Sequence, residues 1–381
     1  MPELAPDRAF SAALAAVPED LASGPIGLAV SGGSDSLALM HLAARWAAPR
    51  RTALLVLTVD HGLRPEAAAE AAWVAGAAHR LGLAHRTLRW TAPEPRQPAA
   101  RRARHALLSA ALKSAGGQLL LTGHTADDQA ETILMRIRQG SGWYGLAGMR
   151  RLALSPVWPE GEGVWIARPL LGWRRPALRR WLDGQGAAWI DDPSNDNPAF
   201  ERVRVRTLLA GRPELTRRLL RLQAGFAALR AVEDAFLSRW LDAEVSVPAS
   251  GQLTARFSGL PAGRAARALG LLIQAVSGRE TPPRSEALVA LAARLGEVSG
   301  FRGATLGGVR LHRQGGRISL SAEAARVADA PSSAGIQARL AAFRRLFINS
   351  AQDIAAGSGK ESFLRELAPI LPETDFSPSE T

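Results

Sequence analysis

The tightest constraint on this chain is the stretch Ser31 to Ser36, S-G-G-S-D-S, set between the apolar run Ile26 to Val30 and the apolar, helix-like run Leu37 to Ala48. An uncharged strand, two glycines and a helix opening on Ser34 and Asp35 make a strand, a tight loop and a helix N-terminus. Gly32 and Gly33 let the backbone turn sharply and approach a ligand, while the free N–H groups of the first helical turn point into the loop. Such a loop cradles an anion of phosphate size. The hydroxyls of Ser31, Ser34 and Ser36 add donors. No lysine lies near Gly33, so a Walker A loop is excluded, and the dinucleotide fingerprint G-x-G-x-x-G is not matched.

The alternation continues downstream. Apolar runs at Ala53 to Val59, Ala84 to Trp90 and Gln118 to Thr122 alternate with helical patterns at Glu66 to Leu81, Pro98 to Lys113 and Thr125 to Arg138. This predicts an α/β fold, a parallel sheet covered on both faces, with its ligand site at the carboxyl ends of the strands. A loop rich in Gly and Trp, Gln139 to Gly163, interrupts the pattern. Beyond it come a strand-like run, Val164 to Leu170, a basic helix, Arg174 to Asp183, and a turn segment, Asp191 to Pro198. The expected organisation is a parallel-sheet domain over 1–214, a smaller helical domain over 215–321 ending in short strands, and a divergent, partly disordered tail over 322–381.

Three stretches carry chemistry near the expected site. The second strand ends in V-D-H-G-L-R, where Asp60 and His61 could meet a nucleotide, or Asp60 could simply cap the turn before Gly62. The fourth ends in G-H-T-A-D-D-Q-A-E-T. Thr125 can cap the following helix with Asp128 as its reciprocal partner. Asp127 and Glu131, four apart, share a helical face, and His124 lies just upstream, so these groups are expected to converge. Carboxylates at a helix N-terminus stay ionised and suit a metal, an ammonium group or a proton taken from an amine. The third helix begins Q-P-A-A-R-R-A-R-H, where Arg101 and Arg104 can grip a carboxylate or phosphate, or can form a solvated face.

Composition narrows the partners. Of a net charge of +12, most sits at 151–321, where 25 Lys and Arg oppose 15 Asp and Glu, which favours a polyanion such as nucleic acid. The chain has no cysteine, so disulfides, thiolate metal centres and persulfide chemistry are ruled out. It has no apolar run of the ~18 residues a membrane helix needs and no obvious signal peptide, so no membrane partner is expected and a cytoplasmic location is the default.

Together these stretches resemble the PP-loop ATP pyrophosphatases, and among them the tRNA(Ile)-lysidine synthase family. The matching blocks are 31–36, 59–64, A-R-R-A-R at 100–104, 123–132, G-L-A-G-M at 145–149, R-P-L-L at 168–171, and D-D-P-S-N at 191–195 followed by Arg202, Arg204 and Arg206. The resemblance implies a PP-loop domain that uses ATP and Mg2+ to join free L-lysine to the wobble cytidine of the isoleucine tRNA with a CAU anticodon. It implies ATP binding by Ser31, Gly32, Gly33, Ser34, Asp35, Ser36, Asp60 and His61, with Asp35 as the magnesium partner. Lysine would be held by Arg101 and Arg104. Asp35, His124, Asp127, Asp128 and Glu131 would be catalytic, Arg174, Arg175, Arg202, Arg204 and Arg206 would track the tRNA, and the helical domain over 215–321 would bind tRNA. Gln97 and His105 depart from the family pattern, which has an acidic residue and Tyr there. Thiolating relatives use cysteines that this chain lacks. A tRNA-binding protein with a vestigial nucleotide site would share the same charge pattern.

Overall fold

The structure, a computed structural model, describes residues 6–62, 66–91, 97–191, 197–248, 252–296, 301–323 and 331–355. The first part of the chain runs α1 (Pro6–Ala15), β1 (Ile26–Ala29), α2 (Ser34–Ala47), β2 (Leu54–Asp60), α3 (Ala67–Arg80), β3 (Ala84–Arg89), α4 (Gln97–Ser114), β4 (Leu119–Thr122), α5 (Ala126–Arg138), α6 (Trp143–Leu146), β5 (Leu152–Leu154), β6 (Trp165–Ala167), α7 (Arg175–Gly184) and α8 (Glu201–Ala210). The strands form one sheet in the order β3-β2-β1-β4-β6-β5, parallel except for the β5–β6 pair. Short glycine-ended turns let each helix return the chain to the starting edge of the sheet, with Gly82 and Gly116 at positive φ just after α3 and α4.

The apolar residues of β1, β2 and β4 face two cores, as a sheet covered on both sides requires. One, with Leu28, Val56 and Leu121, packs under α1, α2 and α7. The other, with Leu57, Leu120 and Ile166, packs under Leu108 and Leu112 of α4. The edge strand β3 is largely exposed and carries His85, Arg86 and Arg89, the kind of charged edge that blocks further pairing. The strand order reverses between β1 and β4, so the loops after these two strands diverge and open a crevice at their carboxyl ends.

A second unit follows: α9 (Pro213–Glu244), β7 (Val245–Ser246), β8 (Leu253–Ala255), α10 (Ala262–Ser277), α11 (Ser285–Gly296), β9 (Gly303–Leu306), β10 (Val309–Gln314), β11 (Arg317–Ala322) and α12 (Ser333–Ala355). Its strands make an antiparallel sheet, β7-β8-β11-β10-β9, backed by α10. The helix α9 serves both units. Leu219 packs with α5 and α8, while Leu237, Trp240 and Leu241 enter the second core. At the junction the fully buried Asp234 accepts from the Tyr144 hydroxyl at 2.8 Å and pairs with Arg150 at 2.6 Å.

The expectation of a divergent, partly disordered tail from 322 needs correction over 333–355. There α12 lies along α9 and places Ile336, Leu340 and Phe347 in the second core. The 4-then-7 spacing of these apolar residues is an amphipathic helix, which the Ala- and Ser-rich composition concealed. Residues 356–381 lie outside the described residues. So do 63–65 and 192–196, which hold parts of the V-D-H-G-L-R and D-D-P-S-N blocks.

Candidate active site

The β1–α2 loop has the geometry its glycines predict. Gly32 sits at φ +93°, and a Cβ there would lie 2.8 Å from Ile190 Cδ1. Ser36 closes the loop from within: its hydroxyl donates to the Gly33 carbonyl at 2.8 Å and accepts from the Ser31 amide at 3.2 Å. Gly33 is the N-cap of α2 and has no side chain to satisfy the first amides, which are left for an anion. Ser34 is buried and accepts from Arg179 at 3.2 Å. Across the crevice, Gly123 brings β4 so close that a Cβ would meet the Asp35 carbonyl oxygen at 2.9 Å.

Thr125 and Asp128 form the expected capping box. Asp128 Oδ2 accepts from the Thr125 amide and hydroxyl, both at 2.8 Å. Asp127 and Glu131 lie on one face of α5 and both meet Arg175, but their principal partners differ. Asp127 turns to Arg174, whose Nη2 lies 2.9 Å away, and to the Arg175 amide at 2.6 Å. Asp128 and Glu131, three apart, instead share partners: Arg202 donates to both, at 3.0 and 2.8 Å, and Arg206 reaches Glu131 at 3.0 Å. Arg175 reaches three carboxylates, Asp35 at 2.7 Å, Asp128 at 3.1 Å and Glu131 at 3.6 Å.

Four arginines expected to track a nucleic-acid backbone, Arg174, Arg175, Arg202 and Arg206, thus have carboxylate partners inside the chain. Arg204 donates to the Pro198 and Ala199 carbonyls. The physical reason is desolvation: Glu131 is 1% exposed and a buried carboxylate needs a paired charge. Sequence reading missed this arrangement because the partners lie 47 to 140 residues apart.

The third-helix arginines behave oppositely. Among the described residues, no carboxylate or carbonyl engages Arg101 or Arg104. Burial, then the adjacent Arg101 and Arg202, push the Arg104 guanidinium down to about 10. Arg168, at the end of β6, is pushed down to about 10 by burial and by Arg101. Its place at a strand's carboxyl end was the available signal for it. These three cations lie close to one another, and Arg101 and Arg104 also lie near Arg202 of the acidic cluster.

The histidines are held neutral. Burial, then Arg168, bring His124 down to about 3, and its Nδ1 lies 2.9 Å from the Thr122 hydroxyl. His105 is brought to about 3 by burial and then Arg104. His61 is lowered by burial and then Arg104, and its ring meets Trp90 edge-on at 6.1 Å. Asp60 accepts from the Gly62 amide at 2.9 Å, so it caps its turn. Burial raises Asp35 despite Arg175. Burial would raise Asp128 too, but Arg175 and Arg202 outweigh it and hold that carboxyl low.

A family model described as a PP-loop domain matches residues 6–212. A tRNA(Ile)-lysidine synthase of Hyphomonas neptunium is 55% identical over 365 residues, which are 95% of this chain and 98% of that protein. Those of Rhodopseudomonas palustris and Methylobacterium nodulans are 42% and 43% identical over 81% and 79% of this chain and 91% of each relative. With the phosphate loop, the capped D-D-Q-A-E helix and the arginine cluster close together, and with likeness running nearly end to end, the chain belongs to the tRNA(Ile)-lysidine synthase family.

Proposed function

We propose that this chain uses ATP to attach free L-lysine to C2 of the wobble cytidine in the CAU-anticodon isoleucine tRNA, forming lysidine. The base then reads A instead of G. The observation that carries this reading is that Arg101 and Arg104, without a carboxylate partner among the described residues, lie next to Arg202 and the carboxylates it binds, Asp128 and Glu131, beside a phosphate loop. An amino acid with a second amine presents both signs of charge, and the crevice offers the complement of each.

In this reading the amides and hydroxyls of 31–36 hold the ATP phosphates. The cytosine O2 attacks the α-phosphate, pyrophosphate leaves, and the lysine ε-amine displaces AMP at C2. Arg101 and Arg104 hold the lysine carboxylate. Asp128, kept ionised by its arginines, suits an ammonium group better than it suits taking a proton. His124, neutral down to about pH 3, is a hydrogen-bonding group, not a cation.

Mg2+ is commonly bound by one or two carboxylates plus substrate phosphates, and Asp35 at the loop fits that pattern. Bound there, the ion would neutralise charge on the departing pyrophosphate. Arg175 is the competing partner of Asp35. Among the described residues no helix is long and apolar enough to cross a membrane.

The test is incubation with unmodified isoleucine tRNA (CAU), magnesium, ATP and isotopically labelled lysine, then nucleoside digestion and mass analysis. Labelled lysidine formed by the wild type and absent with Asp35→Ala supports the reading. Tight tRNA binding with no lysine incorporation and no pyrophosphate release overturns it.

A further inference from the structure

Arg102, the middle arginine of A-R-R-A-R, takes no part in the site described above. Its Nε donates to Glu280 Oε1 at 2.8 Å, and its Nη2 donates to Glu160 Oε2 and to the Trp158 carbonyl, both at 3.1 Å. The Trp158 amide donates to the same Glu280 oxygen at 3.2 Å. On the far side, Arg339 of α12 lies 3.9 Å from the centre of the Trp158 ring and donates to the Gln274 carbonyl at 2.7 Å. One guanidinium therefore joins α4 to the 158–160 loop, to the segment after α10 and, through Trp158, to α12.

The position of Arg102 on α4 gives this contact its importance. Leu108 and Leu112 anchor the later turns of α4 in the core, but from 98 to 104 no residue belongs to an apolar core. Those first two turns carry Arg101 and Arg104. Repulsion between these unpaired cations works against holding them together, so something must fix the backbone beneath them. A single exposed ion pair contributes little, but an arginine fork shared by two carboxylates and a carbonyl fixes direction as well as distance.

We infer that Arg102 is a positioning residue for the lysine site: it ties the first two turns of α4, and with them Arg101 and Arg104, to the second unit. The inference rests on the lysine-ligation reading above. The second unit and the residues proposed to hold lysine then share one strut, and loosening the strut affects lysine more than ATP.

The test uses the full chain with saturating tRNA. Arg102→Ala is expected to raise the KM for lysine about tenfold, leaving kcat and the KM for ATP within about twofold. Glu280→Ala moves lysine KM in the same direction, and the double variant goes no further than Arg102→Ala. Arg102→Lys does not restore the KM, because an ammonium group lacks the fork. Hydrogen exchange quickens at 98–104 and stays unchanged at 119–138. An unchanged lysine KM, a parallel rise in both KM values, or additive effects of the two alanine variants overturns the inference. Absence of lysine incorporation by the wild type removes the ligation reading instead.

Discussion

Arg175 Nε donates to Asp35 Oδ2 at 2.7 Å, joining the first turn of α7 to the first turn of α2 across the mouth of the phosphate loop. The same guanidinium also reaches Asp128 and Glu131, which keep Arg202, whereas Asp35 has no other cation among the described residues. Removing the arginine and removing the aspartate should therefore differ. Arg175→Ala takes the cation from a mostly buried Asp35 and one of several from Asp128 and Glu131, and should cost about 3–5 kcal/mol. Asp35→Asn leaves Arg175 two carboxylates and should cost less than about 1.5 kcal/mol. Both should abolish pyrophosphate release. Urea unfolding at pH 7 checks the contrast, and equal losses in the two variants would refute it.

Gly123 sets the distance between β4 and α2. A Cβ there would press on the Asp35 carbonyl at 2.9 Å, and that atom is backbone, so the first turn of α2 must move. Gly123→Ala should destabilise by about 1–3 kcal/mol and weaken ATP binding more than lysine binding. Gly184, at the end of α7, has open space around a Cβ. Gly184→Ala should be neutral or stabilising by up to about 1 kcal/mol. Calorimetric melting of the two variants, with ATP titrations, tests the pair.

Local features were legible in the sequence, and distant ones were not. The loop at 31–36, the capping box of Thr125 and Asp128, and the alternation of strands and helices all depend on neighbours in sequence. The spacing of Asp127 and Glu131 fixes that they share a face of α5, but not which arginines arrive from 47 residues away. β7 and β8, of two and three residues, are too short to show a period of two. Arg174, Arg175, Arg202 and Arg206 were visible as a basic surplus. Their role as counter-ions required knowing that Glu131 is buried.

The helix α12 supplies the second core with a residue of large consequence. Phe347 is 1% exposed and packs in the cluster that holds Leu340 and Ile336. Phe347→Ala should cost about 3–5 kcal/mol through lost transfer energy and the cavity left behind. Ile348, 50% exposed on the next position, is the internal control, and Ile348→Ala should change stability by less than about 0.5 kcal/mol. Similar urea midpoints for the two variants would show that α12 does not pack as described.

Buried His105 and partly buried His124 make stability depend on pH near neutrality. His105 and His124 are each held down to about 3 by burial and neighbouring arginines, against about 6.5 in an unfolded chain. Between these values the unfolded chain binds about two more protons than the folded one. The stability they contribute is therefore full above about pH 6.5 and is lost as pH falls toward about 3. Asp128, also held low, adds a loss in the same direction below about pH 4, while Asp35, raised by burial, opposes it. Urea midpoints at pH 7, 6, 5 and 4 should fall steadily. His105 is 4% exposed, and its Nδ1 is buried without a partner, so His105→Phe removes both a titrating group and an unsatisfied atom. That variant should flatten the slope by about half and be no less stable at pH 5 than the wild type. A flat wild-type profile from pH 7 to 4 would show that neither imidazole is held as the burial and the surrounding arginines require.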